Sequence, residues 1–303
     1  MSNDLFAAIE AGGTKFLCAV ASADGRVLAQ ERIATSAPDE TFAAVAAFYD
    51  RQREMLGPIL IGGVASFGPL DLDRGSPKYG RLTSTPKPGW SGVDVRGRIA
   101  SVVRAPVVID TDVNCAGLAE ARYGAGQGLD RLCYVTVGTG IGVGVIEQGR
   151  PMGGVGHSEA GHIRVSRASG DDFAGSCPFH ADCLEGLACG PAIAERWGQS
   201  AEELGEGHPA WAMQAHYLAS LCVNLTYLLR PERIVVGGGV MAHPALHDAV
   251  RVRFAELSAN YALDRCSANP TTFICPPAAQ EPSAGLLGAL ALTRDFIADS
   301  HCG

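Results

Sequence analysis

The chain has 303 residues, of which 47% are hydrophobic and 18% are charged, and its 24 basic and 32 acidic side chains give a formal net charge of −8. A chain of this length and composition is expected to form two lobes, each large enough to bury its own core. The acidic residues are dispersed along the sequence, which argues against a dedicated nucleic-acid surface.

The sequence has no apolar run long enough to span a bilayer, and its start, MSNDLFAAIEAGG, lacks the basic and then apolar pattern of a secretory signal. We therefore expect a cytoplasmic protein with no membrane partner. In a reducing compartment the ten cysteines are expected to be thiols rather than a disulfide framework.

The predicted elements begin with the order β-β-β-α-β. Apolar runs predict the strands, and a 3.6-residue apolar period predicts the helix. Glycine turns at Gly12-Gly13 and Asp24-Gly25 separate the first three strands. The predicted strands are 5–10, 16–21, 26–35 and 59–67, and the predicted helix is 41–56.

A similar order recurs after residue 130, where strands 131–137 and 141–147 flank a second glycine turn. Two copies of strand, glycine turn and strand predict a duplicated α/β core. The segment 66–95 is rich in Gly, Pro, Ser and Thr, and its length and aromatic residues favour an ordered substrate loop. The other predicted elements are strands 106–109 and 233–236 and helices 116–122, 210–229 and 285–297.

Three glycine turns follow predicted strands. Phosphate oxygens need several backbone N–H groups at close range, and glycine permits both the approach and the positive φ angles that aim these groups. None of the turns is a P-loop, since GxxxxGK[ST] is absent, and any single one is more often a hairpin turn. Three together favour a nucleotide site. The turns are Gly12-Gly13-Thr14, Gly138-Thr139-Gly140 and Gly237-Gly238-Gly239.

Asp112 follows one predicted strand and precedes a predicted helix. It can be a helix N-cap, which stabilises a helix by about 1 kcal/mol. It can equally be a carboxylate at the carboxyl end of a strand, where open α/β sheets bind ligands, positioned to accept a proton from an attacking hydroxyl. The local sequence leaves both interpretations open, as it does for Asn114, which can cap the helix or hold a polar substrate.

The motif Cys177-x2-His180-x2-Cys183 is the sharpest local signal. Thiolates and an imidazole at this spacing can face one tetrahedral ion, as Zn²⁺ requires, with a fourth ligand from elsewhere. Four protein ligands leave no open position, so we expect a structural zinc that pins the loop. The candidates for the fourth ligand are His162, which we prefer, His157 and Cys189.

Glu159 and Glu185 flank the metal motif. Exposed glutamates are usually solvated surface residues. Their position beside a pinned loop nevertheless favours a role in sugar binding, because carboxylates that bind sugar hydroxyls must be held rigidly.

Eight segments together resemble a bacterial fructokinase of the ROK family, and the resemblance covers nearly the whole chain. The TPKPGW loop and the Cys-x2-His-x2-Cys form of the metal motif are similar to the fructokinase branch, whereas glucokinase-like members usually carry a cysteine-richer segment. The segments are EAGGTKF at 10–16, ASFGPLDL at 65–72, STPKPGW at 84–90, DTDVN at 110–114, VGTGIG at 137–142, HSEAGHI at 157–163, CPFHADCLEG at 177–186 and GGGV at 237–240.

The resemblance implies an α/β protein with an actin-like ATPase (sugar kinase) fold of two ribonuclease-H-like lobes, with ATP and Mg²⁺ in the cleft between them. It implies transfer of the γ-phosphoryl group to the 6-hydroxyl of a hexose, with D-fructose as the expected substrate. The expected lobes are 1–114 plus 284–303, and 115–283 with the zinc loop. The resemblance also implies a possible homodimer, which is common in the family.

The resemblance also implies roles for individual residues, each on a position that matches a family motif. The catalytic base is expected to be Asp112. The expected sugar ligands are Asn114, Glu159, His162 and Glu185, and the expected zinc ligands are His162, Cys177, His180 and Cys183. The expected nucleotide residues are Gly12, Gly13, Thr14, Lys15, Gly138, Thr139, Gly140, Pro191, Gly237, Gly238, Gly239 and Val240.

Two residues depart from the family pattern. Ser158 stands where similar fructokinases tend to have proline, and Glu10 stands where many ROK kinases have aspartate, although glutamate is familiar in this branch.

Three alternatives to a fructokinase remain open from the sequence. The rival enzymes are kinases for mannose, glucose or an N-acylated hexosamine, because hydroxyl stereochemistry cannot be read from sequence. A sugar-responsive ROK regulator would carry a helix-turn-helix ahead of the first strand, and a strand that begins at Leu5 is expected to leave no room for one. An inactive sugar-binding protein is disfavoured by the retained Asp112.

Overall fold

The computed structural model of the chain describes residues 4–153 and 155–302. The chain forms two compact units. The first comprises Met1–Arg122, Pro151–His157 and Ala279–Gly303, and the second comprises Tyr123–Arg150 and Ser158–Ala278. Residues 1–3, 154 and 303, which the expected lobes included, lie outside the described residues.

The helices and strands agree in order with the sequence prediction where the sequence predicts them. The strands are β1 Leu5–Ala11, β2 Lys15–Ser22, β3 Val27–Ala34, β4 Ile59–Ser66, β5 Val107–Thr111, β6 Arg131–Val137, β7 Ile141–Glu147, β8 Arg150–Pro151, β9 Arg233–Gly237 and β10 Ile274–Cys275. The helices are α1 Pro38–Leu56, α2 Val95–Val103, α3 Asp112–Tyr123, α4 Leu184–Ala188, α5 Gly190–Trp197, α6 Ala210–Leu229, α7 Leu246–Ser258, α8 Pro270–Phe273 and α9 Ala284–Cys302.

The first unit contains a five-stranded sheet in the order β3-β2-β1-β4-β5. β1 is antiparallel to β2 and parallel to β4, and β4 is parallel to β5. Side chains of β1 alternate between two apolar clusters, one that includes residues of α1 and α2 and one that includes residues of α3 and α9. The sheet is therefore covered by helices on both faces, as parallel strands require.

The second unit contains a five-stranded sheet in the order β10-β9-β6-β7-β8. β6 is antiparallel to β7 and parallel to β9, and β10 is parallel to β9. Read from β8, this order matches that of the first sheet strand by strand, with β6 in the place of β1 and β7 in the place of β2. The predicted duplication is confirmed.

One glycine lets a helix lie directly on the first sheet. A Cβ atom at Gly63, in the middle of β4, would lie 2.0 Å from the carbonyl oxygen of Ala289 in α9. Only glycine allows this approach, because a real Cβ atom would overlap the helix backbone. The start of α9 is thereby held against the carboxyl half of the sheet.

The segment 66–95 is ordered, as predicted. Trp90 is completely buried, and its indole N–H donates to the carbonyl of Ser36 at 2.9 Å. Its ring lies 5.5–5.7 Å from the rings of Phe16, Phe42 and Phe67. Burial of so large an aromatic side chain anchors the loop to the first unit.

The structure differs from the prediction at β5 and α3. β5 extends to Thr111, and α3 begins at Asp112 rather than at residue 116. The expected border between lobes at 114/115 therefore falls inside a helix, and most of that helix lies in the first unit. Seven elements were not predicted from the sequence: helices α2, α4, α5, α7 and α8 and strands β8 and β10.

Candidate active site

The carboxyl ends of three parallel strands meet at one edge of the first sheet. Glu10 of β1 is in register with Ala65 of β4, and Ala65 is in register with Asp110 of β5. Asp112 begins α3 directly after β5. Ligand sites of open α/β sheets lie at such carboxyl ends, so this edge carries acidic side chains where a substrate is expected.

Asp112 lies at this edge, part-buried, with its Oδ1 accepting a hydrogen bond from the Val113 N–H at 2.9 Å. Burial raises the pKa of Asp112 to about 6, against the lowering effect of that hydrogen bond, and the negative charge of Glu10 raises it further. His157 has a smaller, lowering effect on the same pKa. At neutral pH the group is a carboxylate with enough basicity to accept a proton.

Asn114 is almost fully buried, with 3% exposure, and its Nδ2 donates to Asp110 Oδ1 at 2.7 Å. The backbone N–H of Thr111 donates to the same oxygen at 2.7 Å. Burial raises the pKa of Asp110, and the Asn114 hydrogen bond opposes that rise. Asn114 therefore orients Asp110, an acidic neighbour of Asp112 for which no role was predicted from the sequence.

The first glycine turn joins β1 to β2 and has an irregular, hydrogen-bonded backbone. The Gly12 N–H donates to the Lys15 carbonyl at 2.9 Å, and Thr35 Oγ1 donates to the Gly12 carbonyl at 2.8 Å. Thr14 is exposed at the tip. The turn follows the strand that carries Glu10, so the predicted phosphate residues Gly12, Gly13, Thr14 and Lys15 lie beside the acidic edge.

In the second unit, two glycine turns and the start of α5 come together. The Gly190 N–H donates to the Gly138 carbonyl at 2.7 Å, and Pro191 is in the first turn of α5. Gly238 has a φ of +99°, and a Cβ atom there would lie 2.4 Å from the Val137 carbonyl oxygen. The structure therefore brings together the predicted nucleotide residues of this unit. They are Gly138, Thr139, Gly140, Pro191, Gly237, Gly238, Gly239 and Val240.

Glu185 links the second glycine turn to the expected sugar ligands. Its Oε2 accepts a hydrogen bond from the Ile141 N–H at 2.9 Å, and a Cβ atom at Gly140 would lie 2.6 Å from the same oxygen. The Nε2 atom of His162 lies 3.8 Å from Glu185 Oε1 and 3.9 Å from Glu159 Oε2. Glu159, His162 and Glu185 thus form one cluster, although 26 residues of sequence separate its ends.

The four predicted metal ligands also lie together. One ligand atom from each of them lies within 4.8 Å of the others. His162 Nδ1 is 3.4 Å from Cys183 Sγ and 3.8 Å from Cys177 Sγ, and His180 Nδ1 is 3.8 Å from Cys177 Sγ. The residues are His162, Cys177, His180 and Cys183.

This donor set fits zinc. Bonds of about 2.0–2.3 Å to a tetrahedral ion would separate neighbouring ligand atoms by about 3.3–3.8 Å, which matches the three distances above. Two thiols and two imidazoles are donors that zinc prefers. The rival ligands His157 and Cys189 are not in this group of described residues, and His157 Nε2 instead accepts a hydrogen bond from the Leu70 N–H at 3.1 Å.

The sequence was compared with profiles of known protein families. The sequence profile of the ROK family matches residues 6–296. The chain belongs to the ROK family. The chain is 40% identical to a fructokinase of Streptococcus mutans over 98% of its own length and 99% of the relative's. It is 42% identical to a fructokinase of Zymomonas mobilis over 96% and 98% of the two chains.

Solved ROK structures have the same fold. A ROK hexokinase from Thermus thermophilus is 25% identical and superposes with a TM-score of 0.76, covering 97% of this chain and 99% of the other. A ROK glucokinase from Streptomyces griseus, in complex with glucose and AMPPNP, is 25% identical with a TM-score of 0.74 over 96% and 99% of the two chains. The ROK chain described here therefore has the actin-like ATPase or sugar kinase fold that was expected.

The described part of this ROK chain, residues 4–153 and 155–302, contains no helix whose length and apolar character suit a bilayer crossing.

Proposed function

We propose that this ROK chain is an ATP-dependent hexose kinase that converts D-fructose to fructose 6-phosphate. The observation that carries the proposal is the identity of 40% and 42% to two fructokinases, over nearly the whole length of each. The acidic edge of the first sheet, the glycine turns and the cluster of candidate metal ligands support the same proposal.

Asp112 is the proposed general base. Its carboxylate accepts the proton of the sugar 6-hydroxyl as that oxygen attacks the γ-phosphorus of ATP, and ADP leaves. A pKa of about 6 suits this task, since the group is ionised at neutral pH and still basic enough to take the proton. Asn114 holds the adjoining Asp110, which keeps the polar edge around the base in one arrangement.

The backbone amides of the glycine turns are the proposed phosphate ligands. Gly138–Gly140 and Gly237–Val240 lie with the start of α5 in the second unit, and Gly12–Lys15 adds a turn of the same kind in the first unit. Mg²⁺ bound with the nucleotide would neutralise charge that develops on the transferred phosphoryl group. The protein's own part is to hold the phosphate oxygens and to orient the sugar.

The zinc cluster is proposed to position sugar ligands rather than to do chemistry. His162 faces the other metal ligands through Nδ1 and the two glutamates through Nε2. Zinc bound there by four protein ligands would stabilise the loop and fix that second ring nitrogen as an N–H donor. Glu159 and Glu185 then accept hydrogen bonds from sugar hydroxyls on a rigid support.

A panel of hexoses assayed with Mg-ATP tests the proposal. Fructose is expected to have the highest kcat/KM among fructose, mannose, glucose and N-acetylated hexosamines, and the product should be the 6-phosphate by NMR. A different best hexose would assign the chain to one of the rival kinases. Absence of phosphoryl transfer to every sugar would remove the kinase proposal and leave a sugar-binding protein or regulator.

A further inference from the structure

The Glu10 carboxylate is held by the start of helix α9, 273 residues away in the sequence. Ser283 Oγ donates a hydrogen bond to Glu10 Oε2 at 2.7 Å. Ser283 Oγ in turn accepts a hydrogen bond from the Leu286 N–H at 3.1 Å. The Ser283 hydroxyl thus accepts a hydrogen bond from an amide in the first turn of α9. It also donates its own proton to the Glu10 carboxylate at the acidic sheet edge.

Gly285 lies against the same carboxylate. A Cβ atom at Gly285 would lie 2.6 Å from Glu10 Cγ, 2.7 Å from Cδ and 2.9 Å from Oε2. No real Cβ tolerates such distances, so a side chain at this position must displace Glu10. Gly63 allows α9 to lie close to the sheet, and the first residues of α9 therefore pack against the Glu10 side chain.

A helix cap alone does not account for this arrangement. Capping uses the acceptor lone pairs of Ser283 Oγ, whereas the bond to Glu10 uses its proton, which capping does not need. Glu10 instead gains a charge-assisted hydrogen bond and the partial positive charge of the N-terminus of a 19-residue helix. Both fix where its negative charge lies.

The position of that charge matters at the acidic edge. Glu10 lies near the end of the strand that leads into the first glycine turn, and it is in register through Ala65 with Asp110, two residues before Asp112. A glutamate has one more methylene group than an aspartate, so its carboxylate has more conformations to occupy. The hydrogen bond from Ser283 and the close approach of Gly285 favour the conformation in which the carboxylate lies against the start of α9.

We propose that Ser283 and Gly285 are positioning residues for phosphoryl transfer, which hold the Glu10 carboxylate in its working position at the edge that carries Asp112. The proposal rests on the kinase function proposed above. It adds the start of α9 to the proposed active site. Ser283 and Gly285 act there only by holding the Glu10 carboxylate.

Ser283→Ala and Ser283→Thr form the first test. Ser283→Ala is expected to lower kcat about tenfold, the effect of losing one hydrogen bond to a charged group, with KM for fructose and ATP changed less than about twofold. Ser283→Thr keeps the hydroxyl and is expected to restore most of kcat. In a Glu10→Gln background Ser283→Ala should cost far less than in the wild type, because the two residues act as a unit.

Gly285→Ala tests the enclosure independently. Its kcat and thermal midpoint are both expected to fall, since Glu10 must move. Glu10→Asp keeps the negative charge on a side chain that is one methylene group shorter, so an added Cβ atom at position 285 has more room in this background. In the Glu10→Asp background, Gly285→Ala should lower kcat and thermal midpoint less than it does in the wild type.

The outcomes separate the two proposals. If the wild type phosphorylates no hexose, the proposed function fails, whatever the variants do. If the wild type is active, the positioning role is overturned by either of two results. One is wild-type kcat in Ser283→Ala, and the other is an equal cost of Gly285→Ala in the wild-type and Glu10→Asp backgrounds.

Discussion

Asp110 and Asp112 lie two residues apart at the end of β5, yet their surroundings suit them to different tasks. One oxygen of Asp110 accepts hydrogen bonds from Asn114 Nδ2 and from the Thr111 N–H, so this carboxylate is committed to the fold. Asp112 accepts a hydrogen bond from the adjacent backbone amide, and burial and the charge of Glu10 raise its pKa. This difference in hydrogen bonding suits Asp110 to a structural task and leaves Asp112 for the proposed catalytic one.

The proposed role of Asp112 as general base predicts a pH profile. Its pKa is raised to about 6, so the basic carboxylate form dominates above that pH and is lost as pH falls below it. We expect kcat/KM for fructose to be level above about pH 7 and to fall tenfold per pH unit below about pH 6. Asp112→Asn should lower kcat about a hundredfold or more, while calorimetric binding of fructose persists.

Steady-state kinetics between about pH 5 and pH 8, at constant ionic strength, provide the measurement. Asp110→Asn is the matched comparison, since it alters the neighbouring carboxylate and the hydrogen bond to Asn114 without touching the proposed base. Near-normal turnover of Asp112→Asn, or an unchanged acid limb in any residual activity, would remove Asp112 from the mechanism.

At the scale of elements, the glycine turn after β9 depends on a backbone conformation that only glycine adopts readily. Gly238 combines a φ of +99° with a distance of 2.4 Å between an added Cβ atom and the Val137 carbonyl oxygen. Gly238→Ala is expected to lower the free energy of unfolding by more than the roughly 1–3 kcal/mol of backbone strain alone, since φ +99° with ψ 166° is a conformation that is essentially restricted to glycine. It should also raise KM for ATP more than KM for fructose, because it displaces a proposed nucleotide turn.

Gly128→Ala is the matched control. Gly128 has a φ of +76°, but a Cβ atom there would meet nothing within 4 Å. It should show the backbone strain alone and leave both KM values unchanged. Equal urea-unfolding losses for the two variants would show that the close contact at Gly238 has no energetic consequence.

The loop that carries the metal ligands is the second element whose role can be tested. His180→Ala removes one of the four proposed ligands and is expected to reduce zinc from about one ion per chain to a small fraction of that, as measured by mass spectrometry of the metal. The thermal midpoint should fall, and KM for fructose should rise more than KM for ATP, because His162 and Glu185 lose their support.

Cys189→Ala is the control for the zinc prediction, because Cys189 was a rival ligand by sequence but lies outside the ligand cluster. It should retain about one zinc per chain. Full zinc occupancy in His180→Ala, or zinc loss in Cys189→Ala, would contradict the four-ligand assignment.

A helix or strand could be predicted from the sequence only where its residues show a clear local pattern of apolar and turn residues. The hairpins β1–β2 and β6–β7 combine continuous apolar runs with glycine turns, and their repetition predicted the duplicated sheets. Helix α4 is only five residues long, too short for a helical period to show. Helix α7 buries Leu246, Val250 and Phe254 at intervals of four, a usable signal diluted by the charged residues between them.

The candidate site shows the same division between local and tertiary information. The clustering of Cys177, His180 and Cys183 was predictable because their spacing is local, and His162 was one of three candidates to join them. The contact of Glu185 with the Ile141 amide joins residues 44 apart, and the contact of Ser283 with Glu10 joins residues 273 apart. No periodicity encodes such contacts, since they arise only when the sheets and helices pack.

For the molecule as a whole, substrate binding is expected to raise the free energy of unfolding. A ligand that binds only the folded chain at about 100 times its Kd raises the free energy of unfolding by about 2.7 kcal/mol. Fructose at this level is expected to produce that rise in urea unfolding followed by circular dichroism. Glucose at the same concentration should give a smaller rise, because specificity is a difference in binding free energy.

The same titration distinguishes sugar binding from catalysis. Asp112→Asn should keep the fructose-dependent rise in stability, since the base is needed for proton transfer rather than for the fold, whereas a combined Glu159→Gln and Glu185→Gln variant should lose most of it. Equal stabilisation by glucose and fructose would contradict the fructose assignment even if the chain proved to be a kinase. A rise in Asp112→Asn without turnover would locate the defect in the chemical step.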